Sequence, residues 1–344
     1  MKAIGLNKFG NADVLEEMEF RDPKAGDNEV VIRTAYTSVN RLDILVRAGY
    51  MGSTLKTPAV PGADVVGTIE SMGSEVIDFS VSDLVIAHTV LGCGRCRFCL
   101  SGNENLCENY RIVGRNVFGA YGELVKLPAS ALIKPPEYLN KEELACLPLS
   151  LPTAWRSLDV LAKAQEGNSI VIRGASGNVG ILMVLLSKAM GLNVVALTRS
   201  KEKGHRLKEL GADLVIDTSE NADIIKDVRD FTEGRGADFV IEPFGSTLEQ
   251  SIEITRNGGK IILFGTITGS TASFDVKKLY LKSKSVIGTM VSSKYEFEEA
   301  LNMLESKRIR PIIGNRFSIR DAQKAHTLLE SSDNFGKIIM RHDW

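Results

Sequence analysis

The stretch Ser169-Ile170-Val171-Ile172-Arg173-Gly174-Ala175-Ser176-Gly177-Asn178-Val179-Gly180 decides the fold. Its first five residues form a short apolar run of strand type. The glycine-rich turn that follows opens a helical pattern over 179–190, which Gly191 ends as a good C′ residue. Ala175-x-Gly177-x-x-Gly180 has the G/A-x-G-x-x-G form of a dinucleotide fingerprint. In that form the backbone at Gly177 approaches a pyrophosphate, helix amides and the helix dipole face the anion, and Gly180 lets helix and strand pack closely. A glycine turn can be only a turn, but strand, turn and helix in this order are the context that gives the pattern meaning. The candidate cofactor contacts here are Ala175, Ser176, Gly177, Asn178, Val179 and Gly180.

Downstream the rhythm repeats. A strand at 193–198, a helix at 201–210 stopped by Gly211, and strands at 214–216, 238–242 and 260–264 follow in turn. Alternation of this length predicts a doubly wound parallel sheet with right-handed crossovers. An NAD site places a carboxylate about 20 residues beyond the glycine turn. Here the second strand ends Leu197-Thr198-Arg199-Ser200-Lys201, with no carboxylate before Glu202. Arg199, Ser200 and Lys203 could hold a 2′-phosphate, which favours NADP(H) over NAD(H), with Thr198 a further candidate cofactor contact; the other reading of Arg199 is a solvated surface charge. Ligands bind at the carboxyl ends of a parallel sheet. The later loops therefore add Phe244, Gly245, Gly265, Thr266, Ile267 and Met290 as candidate contacts.

Residues 1–150 read differently, as short β-rich runs bounded by Gly, Pro, Asn and Asp, which suggests a compact β-barrel-like domain. The expected division is 1–150, a dinucleotide-binding domain at 151–289, and a return of 290–344 to the first domain. Four of the five cysteines, Cys93, Cys96, Cys99 and Cys107, have the spacing C-x2-C-x2-C-x7-C, with Gly92, Gly94 and Gly102 easing the bends. Four thiolates satisfy tetrahedral Zn²⁺ with no open position, so the expectation is one structural zinc per chain. An iron–sulfur cluster or four free thiols are the alternatives. Cys146 reads as an ordinary buried thiol.

The 344 residues carry 42 Lys+Arg against 43 Asp+Glu, a formal net charge of -1, which gives no support to a nucleic-acid partner. At 44% apolar and 25% charged the composition is that of a globular chain. The longest plainly apolar run, 181–186, is far short of the ~20 residues of a membrane span. The N-terminal residues lack a secretory apolar region, so the expected address is the cytoplasm.

These features together resemble the zinc-containing alcohol dehydrogenase family, the medium-chain dehydrogenase/reductases, over essentially the whole chain. The most specific parts are the Cys93–Cys107 lobe, the Ala175–Gly180 turn, and Pro61-Gly62-Ala63-Asp64 followed by Val66-Gly67-Thr68-Ile69. The resemblance implies a GroES-like catalytic domain, a nicotinamide cofactor that Thr153 would touch, a small-molecule substrate, and a homodimer or homotetramer. The apolar last strand, Ser285-Val286-Ile287-Gly288, would leave a sheet edge for pairing. The family's catalytic zinc takes a Cys, a His and a second Cys, and this chain has Asn40, Ala63 and Leu149 at those places. A catalytic zinc is therefore not expected. Ser38-Val39-Asn40-x-x-Asp43 with Gly49-Tyr50 is similar to the zinc-free quinone oxidoreductase branch, which usually lacks the four-cysteine lobe kept here.

Without a Lewis acid, a developing negative charge on the substrate must meet neutral donors. Asn40 is the leading candidate and Tyr50 the second; each is otherwise a loop or rim residue. Asp43 reads as a loop organiser. The leading expectation is NADPH-dependent hydride transfer to a quinone or to the C=C bond of an α,β-unsaturated carbonyl. The alternatives are an alcohol or aldehyde dehydrogenase and a non-catalytic NADPH-binding protein.

Overall fold

The computed structural model describes residues 1–50, 56–219 and 223–344. It divides into two compact units, Met1–Pro152 with Ser292–Trp344, and Thr153–Val291. The first boundary falls inside the helix Ser150–Trp155, whose first turn holds Pro152, where a missing N–H costs nothing.

The central unit is built on a six-stranded parallel sheet in the order Leu214–Asp217, Asn193–Thr198, Ser169–Ile172, Ala237–Glu242, Thr255–Leu263, Ser285–Gly288. Ile170, Val171 and Ile172 are wholly buried, as expected of a strand covered on both faces. The order reverses beside Ser169–Ile172, which puts the glycine turn at the topological switch point. The fifth strand starts at Thr255, ahead of the apolar run expected at 260–264. Its polar opening, Arg256-Asn257-Gly258-Gly259, is absorbed by a register shift between the pairs Ala237↔Thr255 and Phe239↔Lys260, which leaves no apolar signature.

In the other unit a seven-stranded sheet is described. Glu29–Ser38 pairs antiparallel with Val66–Met72, Leu124–Pro128 and Lys337–Arg341, the last of which runs parallel to Ile313–Ser318. One apolar core there joins Ile4, Leu6, Val39, Val60 and Tyr121 to Ala325, Ile338 and Met340. Late residues thus complete a sheet begun by early ones. The helix Arg41–Arg47 starts at Asn40, its N-cap, with Asp43 at N3 in a capping box.

Candidate functional site

In the central unit the glycine turn is tightest one residue before the fingerprint frame. Gly174 has φ +62°, a left-handed conformation that disfavours side chains. A Cβ on Gly180 would lie 2.4 Å from the Gly174 carbonyl oxygen, so the helix Asn178–Ala189, capped by Gly177, packs hard on the turn. Gly174 is therefore a residue the frame at Ala175 missed; positive φ was the physical requirement. Thr198 reaches this turn, with its hydroxyl 3.4 Å from that of Ser176.

At the end of the second strand Arg199 is exposed, and Ser200 caps the helix Lys201–Glu209 by accepting the Lys203 N–H at 3.3 Å. A carboxylate does stand at this edge, on the neighbouring strand: Asp217 pairs in register with Thr198. The Ser219 hydroxyl and N–H both donate to its Oδ1, at 2.7 and 2.9 Å, and hold its pKa below the ordinary range. Reading along one strand could not find it.

Phe244 and Gly245 follow the fourth strand, Gly265, Thr266 and Ile267 the fifth, and Met290 the sixth. All lie at the carboxyl edge with the glycine turn, as parallel strands require. Backbone bonds join two of these loops, from Ile267 N to Pro243 O and from Thr268 N to Phe244 O, both at 3.1 Å. Thr153 is buried in the helix Ser150–Trp155, and its carbonyl accepts the Ser157 hydroxyl at 2.7 Å.

In the other unit the three positions vacated by family metal ligands converge on two buried carboxylates. Asp43 accepts backbone N–H groups from Asn40 (2.8 Å), Gly62 (3.0 Å) and Ala63 (3.2 Å). Asp64 accepts the Asn40 amide N–H and the Leu149 backbone N–H, each at 2.8 Å, and the Ser38 hydroxyl. Lys337 completes the cluster. Its ammonium lies 2.6 Å from Asn40 Oδ1, 3.0 Å from Ser150 Oγ and 3.1 Å from Asp64 Oδ2. Burying an ammonium is tolerable only with such pairing. A dication does not fit here: Ala63 and Leu149 offer no ligand atom, and the ion would sit beside Lys337. Asn40 is 4% exposed and is held as a fixed member of a buried network. Tyr50 is 79% exposed beyond the far end of helix Arg41–Arg47. Seven helical residues span about 10 Å, and the two candidates are not brought together. Lys337 escaped sequence reading because it opens an apolar strand, Lys337–Arg341, far along the chain.

The cysteine lobe does fit a metal. The sulfurs of Cys93, Cys96, Cys99 and Cys107 all lie within 4.8 Å of one another, with 3.6 Å between Cys96 and Cys99 and 4.0 Å between Cys93 and Cys99. Zn–S bonds of about 2.3 Å in a tetrahedron demand a sulfur separation of about 3.8 Å. Backbone N–H groups of Cys93 and Asn109 both point at the Cys107 sulfur at 3.4 Å, as at a thiolate. The Arg95 and Cys96 N–H groups bring the Cys93 thiol down to about 6, while burial pushes Cys99 up to about 12. Four sulfurs this close resist common ionisation until a dication joins them. With four protein donors the coordination is closed, which makes the site structural.

Two family models match the chain: "Alcohol dehydrogenase GroES-like domain" over residues 26–137 and "Zinc-binding dehydrogenase" over 178–306. The acryloyl-coenzyme A reductase of Sulfurisphaera tokodaii is 28% identical over 343 residues, covering 99% of this chain and 100% of that protein. The NAD-dependent alcohol dehydrogenase of Sulfolobus acidocaldarius is 30% identical over 349 residues, covering 99% of each. The crystal structure of an NAD-dependent alcohol dehydrogenase superposes with a TM-score of 0.94 at 32% identity over 100% of both chains. With its GroES-like and Rossmann units and its four-cysteine structural zinc site, the chain belongs to the zinc-containing alcohol dehydrogenase family of medium-chain dehydrogenase/reductases, the NAD(P)H-dependent oxidoreductases.

Proposed function

We propose that this oxidoreductase uses NADPH to reduce the C=C bond of an α,β-unsaturated carbonyl, without catalytic zinc. One observation carries the reading: the Asn40–Asp64–Lys337 cluster stands where the family's ligand positions meet, and it leaves no place for a Lewis acid. Alcohol oxidation needs its alkoxide stabilised, which such an ion does by several kcal/mol, whereas an enolate spreads its charge and needs less. Likeness to an acryloyl-coenzyme A reductase favours an enoyl group over a quinone, the other acceptor in keeping with the cluster. The runner-up, alcohol or aldehyde interconversion, is favoured by likeness to alcohol dehydrogenases.

Bound NADPH would supply a hydride to the β-carbon. The chain's own task is to hold the carbonyl oxygen as charge moves onto it. One N–H of the Asn40 amide is spent on Asp64 and its oxygen on Lys337, so the second N–H is the donor left for the substrate. The ammonium draws electron density through the amide oxygen and strengthens that donor. Asp43, tying Asn40 to the backbone of Gly62 and Ala63, holds the amide's position. Solvent would supply the proton that the α-carbon takes up.

Arg199, Ser200 and Lys203 favour the 2′-phosphate against the nearby Asp217. Removing the guanidinium in Arg199→Ala would weaken NADPH and leave NADH unchanged. The chain would pair through the free side of Ser285–Gly288, beside the exposed Val276, Tyr280 and Leu281; sedimentation as a monomer at micromolar concentration would contradict this.

The test of the activity is an NADPH-oxidation screen over 2-alkenals, enones, enoyl thioesters, quinones and simple aldehydes. Turnover on conjugated C=C substrates is expected. Turnover confined to alcohols and aldehydes would overturn the proposal.

A further inference from the structure

Two strand ends of the central unit carry a buried ion pair that no cofactor contact accounts for. Arg173, directly after Ser169–Ile172, is 5% exposed, and Glu242, closing Ala237–Glu242, is 0% exposed. Arg173 Nε lies 3.4 Å from Glu242 Oε2. The same Nε donates to the Ser251 hydroxyl at 2.8 Å, and that hydroxyl donates to Glu242 Oε2 at 2.5 Å. The other carboxylate oxygen accepts the backbone N–H groups of Phe244 (2.8 Å) and Gly245 (3.2 Å), and the Thr247 hydroxyl lies 2.9 and 2.7 Å from the two oxygens.

These bonds do more than neutralise a charge. Phe244 and Gly245 begin the loop after the fourth strand, and the Phe244 ring lies against the phosphate turn: a Cβ on Gly174 would stand 3.1 Å from its Cζ. The same loop is tied to the one after the fifth strand by the backbone bonds of Ile267 and Thr268. One carboxylate therefore sits beneath three loops of the carboxyl edge, and its partner Arg173 is the residue next to Gly174.

We propose that Glu242 is a positioning residue for the dinucleotide: it fixes Phe244 and Gly245 against the Gly174 turn and so sets the spacing between the pyrophosphate turn and the loops at the nicotinamide end. The inference rests on the cofactor reading above. Glu242 lies away from the 2′-phosphate edge, so it serves both cofactors alike.

The experiment titrates NADPH and NADH by fluorescence into wild type, Glu242→Gln and the double variant Arg173→Met/Glu242→Leu, with thermal melting and steady-state kinetics alongside. Glu242→Gln should weaken both cofactors by about tenfold, the loss of one charge-assisted hydrogen bond, and leave KM for the acceptor unmoved. It should also melt earlier, because Arg173, still bonded to Ser251 and Gln250, is left buried without a counter-charge. The double variant should regain the melting temperature yet keep the weak cofactor affinity, since nothing then holds the Phe244 and Gly245 N–H groups. Should Glu242→Gln fail to fold, the double variant carries the test. Unchanged NADPH affinity in Glu242→Gln, or affinity that returns with stability in the double variant, would overturn the proposal. A wild type that binds neither cofactor would overturn the cofactor reading, and this inference with it.

Discussion

The cysteine lobe and the Asn40–Lys337 cluster belong to one unit and answer the same electrostatic problem in opposite ways. In the lobe, sulfurs that would resist common ionisation face a site suited to an external dication. In the cluster, two buried carboxylates are met by an ammonium and by amides that the chain supplies itself. The lobe is local, its ligands a few residues apart; the cluster joins Asn40 to Lys337 across 297 residues. On the proposed reading, this chain keeps the structural metal, held by a loop's own spacing, and has an ammonium of its own where the family holds a catalytic metal.

The largest expected effect falls on the lobe. One zinc per chain should be found by elemental analysis, and Cys93→Ser should lose it and melt far lower, because structural zinc in isolated fingers is worth about 10–16 kcal/mol. Two zinc ions per chain would break the comparison by restoring a metal to the cluster.

Next comes the internal cation. Lys337→Met leaves Asp64 buried and unpaired, with an expected loss of about 3–5 kcal/mol in chemical denaturation. Asp64→Asn with Lys337→Met should recover most of it. Equal instability in single and double variants would mean that the pair is packing rather than charge compensation.

A smaller effect is expected on turnover. Where one oxyanion donor is the main stabiliser, its removal costs about 10²–10³ in rate; with water free to take its place in the variant, Asn40→Ala should lose about tenfold in kcat. Asn40→Asp should lose more, since a carboxylate repels the developing enolate. Wild-type turnover in both, on a step limited by hydride transfer, would leave Asn40 as a helix cap only.

The smallest is a pH dependence of the unit that holds both regions. Burial depresses His88 to about 4 and His326 to about 3, against 6.5 for a free imidazole. The folded chain keeps both neutral, so as pH falls from 6.5 towards 4 the unfolded chain takes up protons that the folded chain refuses, and stability is lost. Melting temperature should drop between pH 7 and pH 5, and His326→Asn should flatten that slope at equal zinc. A slope unchanged by the substitution would place the acid sensitivity elsewhere.

Much of this is legible in the sequence. The Rossmann order follows from a strand–glycine–helix rhythm, and the lobe from cysteine spacing, because both signals are local. The vacated ligand positions were also readable residue by residue. What filled them was not. Asp64 stands in the quoted Pro61–Asp64 motif, but only the pairing of Lys337–Arg341 with Glu29–Ser38 brings an ammonium to it. Asp217 escaped for the same reason, since it meets Thr198 across a ladder rather than along a strand. Glu242 lay inside a strand correctly read, but its partners Arg173 and Ser251 come from other elements.

The late strand also imposes an order on biosynthesis. At about 5–20 residues per second, the ribosome delivers Lys337 some 15–60 s after Asn40. Throughout that interval Asp64 lacks its ammonium, and Glu29–Ser38 has an open edge where Lys337–Arg341 will pair. The central unit, Thr153–Val291, is continuous in sequence and can fold inside the same interval. The nascent chain thus passes through a stage with one finished unit and one unclosed sheet, and it is then that Ile4, Leu6 and Val39 still await Ile338 and Met340.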